Sequence, residues 1–153
     1  MKNLLESYFG IKPIEILKLN GYENVNYQVK TSDSTFILKT YRDTELLPFL
    51  MAETEALIYL DSNKSFKSSR PIEFIDGEYV KKIHFGQGEI IIRLLSFIEG
   101  KFIGETSASE QITISLGLLL AKLNLKLQSW DNYIIKSRES EWNLNSYLIS
   151  KQY

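Results

Sequence analysis

The first half of the chain alternates apolar and polar residues in the manner of a sheet. Three segments rich in β-branched and aromatic residues, separated by turn formers, occupy positions 14–19, 26–31 and 35–41. Alternation bounded by turn formers is typical of strands. A polar turn at residues 32–34 joins the last two segments and predicts a hairpin with Thr31 opposite Thr35. Under that pairing, Lys39 lies opposite Tyr27.

A helix and a second hairpin signal follow the three strands. The apolar spacing after residue 46 predicts a helix that ends near Asp61, with Pro48 tolerated in its first turn. Asp76-Gly77 is a two-residue hairpin signal, and it separates the strand-like segments 71–76 and 78–85. We therefore expect these two segments to be neighbouring strands.

The most apolar strand precedes a change of pattern. After a glycine-rich turn at 86–88, residues 89–97 are almost continuously apolar, so we expect this strand to be central and covered on both faces. Residues 109–127 carry two apolar stripes at helical spacing, which predicts a helix buried on two sides. A weaker helix is predicted over 138–151. The pattern gives an α+β fold, with five strands and one helix before a boundary at 96–101 and helices after it.

Composition narrows the class of protein. A chain of 153 residues with 44% hydrophobic content can bury one core, in one domain or two small lobes. The formal net charge of −1 argues against a nucleic-acid partner, and the lack of cysteine excludes a disulfide scaffold or a cysteine-ligated zinc site. The longest apolar run, at 116–121, is far shorter than the ~20 residues of a membrane span. We expect a soluble cytoplasmic protein.

Lys39 places a charge within an otherwise apolar strand. With Tyr27 opposite, its side chain projects beneath the turn formed by residues 21–26. Gly21 and Asn24 tolerate backbone conformations that most residues avoid, and such a turn can aim N–H groups at an anion. A lysine beneath such a turn is a phosphate-binding arrangement.

A partly buried lysine needs a counter-charge. The next helix offers Glu53 and Glu55, and its return across the sheet brings Glu53 within reach of Lys39. We therefore predict an ion pair between Lys39 and Glu53. The alternative is a solvated strand lysine, an ordinary turn and two helix-surface acids, because each signal is weak when taken alone.

The order of these signals resembles the small-molecule kinase branch of the protein-kinase-like fold. The segments that carry the resemblance are GYENVNYQV…FILKTYR, AETEALIYL, RLLSFIEGKFIG and LGLLLAKLN. The families are the aminoglycoside phosphotransferases, the type II homoserine kinases and the hydroxylysine-kinase-like proteins, and the R-x-x-x-W-N-L stretch at 138–144 is similar to the R-x-x-x-W-D-L stretch of the last. The resemblance implies a kinase-like N-lobe over 1–95 with a five-stranded antiparallel sheet and helix C, a hinge over 96–101, and the start of a truncated helical C-lobe over 102–153.

The resemblance also implies roles for individual residues. Lys39 would hold the α- and β-phosphates of ATP, and Glu53, preferred to Glu55 for its spacing, would position Lys39. The turn at 21–26 would cover the phosphates, although it has one glycine where protein kinases have three. The hinge backbone would meet the adenine edge. The implied nucleotide contacts are Gly21, Tyr22, Glu23, Asn24, Val25, Asn26, Lys39, Glu53, Ser96, Phe97 and Ile98.

The family's catalytic residues do not appear in this sequence. They lie in an H-x-D-x-x-x-x-N loop and a later metal-binding aspartate. The single histidine, His84, is followed by Phe85 and Gly86, so we interpret it as a strand-end residue. We expect no catalytic residue and no metal ligand in this chain, with the Mg²⁺ ligands supplied by a missing C-terminal part.

The resemblance implies the nucleotide-binding portion of an ATP-dependent phosphotransferase that acts on a small hydroxylated amine or amino acid. Its cofactors would be ATP and Mg²⁺, and its partners the nucleotide and a small-molecule acceptor, without nucleic acid or membrane. We also expect self-association through exposed C-terminal helices. The alternative is a non-catalytic kinase-like regulatory or fusion module.

Overall fold

The computed structural model describes residues 1–19, 21, 24–62, 67–107 and 109–138. Its helices are α1 (Lys2–Phe9), α2 (Leu47–Asp61), α3 (Glu110–Leu127) and α4 (Tyr133–Ser137). Its strands are β1 (Glu15–Leu19), β2 (Val25–Lys30), β3 (Thr35–Tyr41), β4 (Pro71–Ile72), β5 (Lys81–Phe85) and β6 (Gly88–Ser96). Residues 139–151 of the last predicted helix lie outside the described residues.

The six strands form one antiparallel sheet, which matches the six strand-like segments of the sequence and exceeds the five strands of the predicted lobe by one. The order is β1-β2-β3-β6-β4, and β5 also pairs with β6. Strand β4 lies opposite residues 94–95 of β6, whereas β5 lies opposite residues 88–92. The turn predicted at Asp76-Gly77 is present, with Gly77 at φ 87°. The Phe74 N–H donates to the Glu78 carbonyl across it at 2.8 Å, but β4 and β5 each pair with β6 and not with each other. The nine-residue β6 is long enough to pair with both strands end to end.

The register of the β2–β3 hairpin differs by one residue from the prediction. Lys30, not Thr31, lies opposite Thr35, so Lys39 lies opposite Asn26 and not Tyr27. The Thr31 side chain explains the shift. Its hydroxyl oxygen accepts a hydrogen bond from the Ser34 N–H at 3.0 Å, and its own N–H donates to the Ser34 carbonyl at 2.9 Å. Thr31 is thereby part of a four-residue turn instead of the strand.

One face of the sheet packs against α1, a helix that the sequence analysis did not assign. Leu5 is fully buried between this helix and the sheet, where Val29 and Leu38 are also fully buried. The ring of Phe9 stacks on that of Phe74 at 4.3 Å. Helix α1 ends at Gly10, whose φ of 66° is readily adopted by glycine. The helix therefore seals an apolar core.

The other face packs against α2. The Asp43 side chain caps the short 3-10 turn that leads into this helix, and Pro48 lies in its first turn as predicted. Leu50 on the helix is buried with Tyr41 and Ile91 on the sheet. Strand β6 is therefore covered on both faces, as its apolar sequence predicted.

Helix α3 forms as predicted but is not buried on two sides. Ser109 caps it by accepting a hydrogen bond from the Ile112 N–H at 3.3 Å. No side chain described within α3 is buried, and Leu118 and Leu125 are 58% and 66% exposed. Self-association through this surface stays a prediction. Across the described residues, no helix combines the length and the apolar character that a bilayer span requires.

Candidate functional site

The strand register aligns Lys39 with side chains from the neighbouring strands. Lys39 lies opposite Asn26 of β2 and opposite Arg93 of β6, and Asn26 lies opposite Leu19 of β1. Side chains that are directly opposite share a face of the sheet. These residues form a row on the α2 face, which we call the polar row (Leu19, Asn26, Lys39 and Arg93).

A second row on the same face lies closer to the end of β6. It consists of Leu17, Gln28, Ile37 and Leu95, which are also opposite one another. We call it the apolar row, although it includes one glutamine. Leu95 is buried, but Leu17 is 51% exposed. The α2 face therefore offers a partly exposed apolar surface beside a charged one.

Lys39 is partly buried within the polar row. Burial is the largest cause that lowers the pKa of its ammonium group below the usual 10.5. The positive charge of Arg93 lowers this pKa further, whereas the carboxylate of Glu53 raises it. Lys39 therefore lies in the field of both groups.

Arg93 forms the ion pair that we predicted for Lys39. Its Nη2 lies 2.5 Å from Glu53 Oε2, and within the described ranges Lys39 has no carboxylate oxygen within 4.0 Å. The physical reason is burial: Arg93 is 3% exposed and has a rigid fork of donors, so it has the greater need of a counter-charge. The predicted Lys39–Glu53 ion pair is therefore wrong, although Glu53 lies close enough to influence Lys39.

Tyr41 completes the surroundings of Arg93. The Nε and Nη2 of Arg93 donate to the Tyr41 hydroxyl oxygen at 3.1 and 2.8 Å. The sequence analysis missed Arg93. The available signal was a charge in the middle of the most apolar strand of the chain.

Two buried polar atoms flank Lys39 in the polar row. Asn26 Oδ1 and Arg93 Nη1 are both buried without a hydrogen-bond partner in the described part of the chain. An unpaired buried polar group is costly, so native proteins nearly always satisfy it. One atom is an acceptor and the other a donor. The row is therefore suited to a polar ligand that carries both kinds of group.

The turn before β2 approaches the polar row through Gly21. A Cβ atom on this residue would lie 2.3 Å from the Asn24 carbonyl oxygen and 2.8 Å from Asn26 Nδ2. Glycine is thus required by a close contact, a reason that differs from the backbone freedom we inferred from the sequence. Val25 begins β2, and its carbonyl oxygen accepts a hydrogen bond from the Thr40 hydroxyl at 3.2 Å.

The register shift changes the residue that lies opposite Lys39. Asn26, whose Nδ2 would lie 2.8 Å from a Cβ atom on Gly21, replaces Tyr27 as the residue opposite Lys39. Tyr22 and Glu23, the other predicted contacts of this turn, lie outside the described residues.

The two glutamates of α2 point to different neighbours. Glu53 reaches the sheet through Arg93, whereas Glu55 is exposed and accepts a hydrogen bond from Asn132 Nδ2 at 3.3 Å. Of the two glutamates, Glu53 is the one that lies on the sheet side of α2, but its ion-pair partner is Arg93 and not Lys39.

Among the first three residues of the predicted hinge, 96–98, one backbone N–H has no hydrogen-bond partner in the described part of the chain. Ser96 ends β6 and donates its N–H to the Arg70 carbonyl at 2.8 Å, while Phe97 donates to the Thr35 carbonyl at 3.1 Å. The N–H of Ile98 has no hydrogen-bond partner among the residues described. Of the three residues predicted to meet the adenine edge, Ile98 is therefore the one with a free backbone donor.

Metal-ligating side chains are not grouped in the described ranges. No cluster of three or more His, Asp or Glu residues there could hold a metal ion. His84 is exposed near the end of β5, in agreement with its interpretation as a strand-end residue.

Comparison with known proteins supplies relatives of two kinds. A hydroxylysine kinase from Xenopus laevis is 21% identical over 168 residues, an alignment that covers 98% of this chain and 44% of the relative. An amicoumacin kinase solved with AMP-PNP, Ca²⁺ and Ami superposes with a TM-score of 0.76 at 18% identity, covering 99% of this chain and 46% of that one. A microcompartment-associated aminopropanol kinase gives a TM-score of 0.69 at 20% identity, with coverage of 95% and 45%.

The two solved kinases share the fold of this chain, and the chain spans less than half of the length of all three relatives. All three are small-molecule kinases by name. The family model of the phosphotransferase enzyme family (APH) matches residues 15–144, from β1 to beyond α4. The chain therefore belongs to the phosphotransferase enzyme family.

Proposed function

We propose that this chain is the nucleotide-binding portion of an ATP-dependent kinase that phosphorylates a small hydroxylated amine or amino acid. The observation that carries the proposal is the polar row, in which a partly buried lysine has no carboxylate partner within 4.0 Å in the described residues. Such a lysine is available to an anion from outside the chain. The names of the relatives support the acceptor class, since hydroxylysine and aminopropanol each carry an amine and a hydroxyl group.

The order of the features along the sheet suits a nucleotide. The apolar row lies next to the predicted hinge, where the unpaired N–H of Ile98 can donate to the edge of a base. The polar row lies further from the hinge, beside the turn that contains Gly21. In this arrangement Leu17 and Ile37 contact the base, and Lys39 contacts the phosphates.

The chain's own residues would act by binding and charge neutralisation. The ammonium of Lys39 would offset phosphate charge, and the turn at 21–26 would exclude water from one side of the phosphates. ATP supplies the phosphoryl group for transfer. Mg²⁺ ligands and the catalytic carboxylate are expected from the part of the family fold that this chain does not span.

The proposal keeps the division predicted from the sequence. Residues 1–95 are an N-lobe, 96–101 a hinge and 102–153 the start of a helical C-lobe. ATP-dependent chemistry on a small molecule also fits the predicted cytoplasmic location.

The test compares two lysines on opposite faces of the sheet. Lys39→Ala should weaken binding of AMP-PNP with Mg²⁺ about tenfold, or about 1.4 kcal/mol, in isothermal titration calorimetry. Lys18→Ala is the matched control, because Lys18 is exposed and lies opposite Tyr27 rather than in the polar row. Equal affinities for the wild type and Lys39→Ala would overturn the proposal. A non-catalytic module that binds no nucleotide predicts that none of the three proteins binds.

A further inference from the structure

A glutamine interrupts the apolar row. Gln28 lies opposite Leu17 of β1 and opposite Ile37 of β3, so its neighbours across the strands on this face of the sheet are aliphatic. Branched and aromatic side chains pack best at such a position, because they fit the pleated surface and the residues across from them. Packing within the sheet therefore gives no reason for an amide at residue 28.

The amide of Gln28 is unpaired and accessible. The side chain is partly buried, and its amide makes no hydrogen bond within the described part of the chain. The unpaired polar atoms that are fully buried there belong to Asn26, Ser68 and Arg93, and neither atom of the Gln28 amide is among them. The amide therefore reaches solvent from a surface that is otherwise aliphatic. A ligand can replace the water on it without leaving a buried polar group unpaired.

The proposed arrangement of the nucleotide leaves one partner for this amide. The faces of a purine base carry no hydrogen-bonding groups, and they would lie on the side chains of Leu17 and Ile37, while one edge of the base meets the N–H of Ile98. The phosphates would lie at Lys39 in the polar row, about 7 Å further along the strands. The ribose joins the base to the phosphates, so it lies where the two rows meet. Its hydroxyl groups are the hydrogen-bonding groups that remain for Gln28.

We propose that Gln28 is a specificity-determining residue of the nucleotide site, whose amide binds a hydroxyl group of the ribose and so makes the site prefer ribonucleotides. The chemistry matches, because the amide both donates and accepts hydrogen bonds, as a hydroxyl does. A site that is built to bind a hydroxyl group discriminates against the analogue that lacks it. This inference rests on the proposed function, since it uses the positions that the proposal gives to the base and the phosphates.

The experiment compares three nucleotides by isothermal titration calorimetry in the presence of Mg²⁺. ATP carries both ribose hydroxyls, whereas 2′-deoxy-ATP and 3′-deoxy-ATP each lack one. The wild type should bind ATP about tenfold more tightly than the analogue that lacks the contacted hydroxyl, which is the effect of one hydrogen bond. Gln28→Met keeps the length of the side chain and removes the amide. It should bind ATP about tenfold less tightly than the wild type, with the affinity for that analogue unchanged, so the preference should disappear.

The ratio of the affinities separates a sugar contact from a packing role. If Gln28→Met keeps the wild-type preference, or weakens binding of all three nucleotides by the same factor, the inference is overturned. Gln87→Met is the matched control and should keep the preference, because Gln87 is exposed in the turn before β6, at the end of that strand remote from the hinge.

The wild type alone distinguishes this inference from the proposed function. If it binds all three nucleotides equally well, the inference is overturned and the proposed function stands. If it binds none of them, the proposed function fails, and the inference fails with it.

Discussion

The two faces of the sheet bury different kinds of side chain. On the α1 face, the buried cluster consists of aliphatic and aromatic side chains such as Leu5 and Leu38. On the α2 face, a smaller apolar cluster around Leu50 lies beside the polar row, where Arg93 is buried and Lys39 partly buried. The first arrangement needs only packing. The second retains costly charges, an arrangement that is frequent at binding sites and is the basis of the proposed function.

The largest expected effect comes from the α1 face. Leu38→Ala removes a fully buried side chain and leaves a cavity, so the free energy of unfolding should fall by about 2–5 kcal/mol in urea denaturation. The adjacent Ile37 points to the other face and is only partly buried, so Ile37→Ala should cost clearly less. Nucleotide affinity should respond in the opposite order, since Ile37 lies in the apolar row. Equal losses of stability in Leu38→Ala and Ile37→Ala would contradict the view that the α1 face is the more tightly packed of the two.

An intermediate effect is expected at the turn over the polar row. Gly21→Ala places a Cβ atom against the Asn24 carbonyl oxygen, so the turn must shift away from Asn26. Calorimetry should show AMP-PNP binding weakened about tenfold, or about 1.4 kcal/mol, with a smaller change in stability. Gly88→Ala, at the start of β6 and outside the hinge, is the control, because a Cβ atom there meets no atom within 4 Å. If both variants bind like the wild type, the turn does not contact the nucleotide.

The smallest expected effect is on the free energy of unfolding, which the partly buried charge of Lys39 reduces. Because burial and Arg93 lower its pKa in the folded state, the unfolded chain binds more protons between that lowered pKa and 10.5. Lys39 therefore reduces stability below this window, and the penalty is relieved as the pH rises through it. Lys39→Met should raise the free energy of unfolding at neutral pH by less than about 1 kcal/mol.

The same variant should lose nucleotide affinity, so stability and binding should change in opposite directions. Urea denaturation at neutral and alkaline pH provides the measurement, with the exposed Lys18→Met as control. A loss of stability in Lys39→Met at neutral pH would show that the lysine packs favourably and is not held at a cost.

Local patterns predicted most of the elements, because they depend on neighbours in sequence. The alternation that defines β3 and the helical spacing of the apolar residues in α3 needed no tertiary information. The register of the β2–β3 hairpin failed by one residue because the Thr31 hydroxyl competes with the strand ladder, and polarity alone does not show this. Helix α1 was missed because its short amphipathic pattern is stabilised only by the sheet beneath it.

In the candidate site, too, local features were predicted from the sequence and contacts between distant residues were not. Lys39 and the turn that begins at Gly21 were predicted because both are read from one stretch of the chain. The partner of Glu53 was not, because Arg93 and Lys39 lie in different strands and compete for a carboxylate on a helix. Burial decides that competition, and burial is a property of the assembled sheet.

The sequence by itself determined the strands, the main helices, the kinase-like resemblance and the lysine on which the proposed function rests. Periodicity and turn chemistry are local, and they act before the chain is folded. Only the tertiary structure decided that Gly21 is required by its contact with Asn24 and that β4 and β5 share one edge of β6. It also decided that Arg93 holds Glu53, because an ion pair depends on the distance and burial of groups that are remote in sequence.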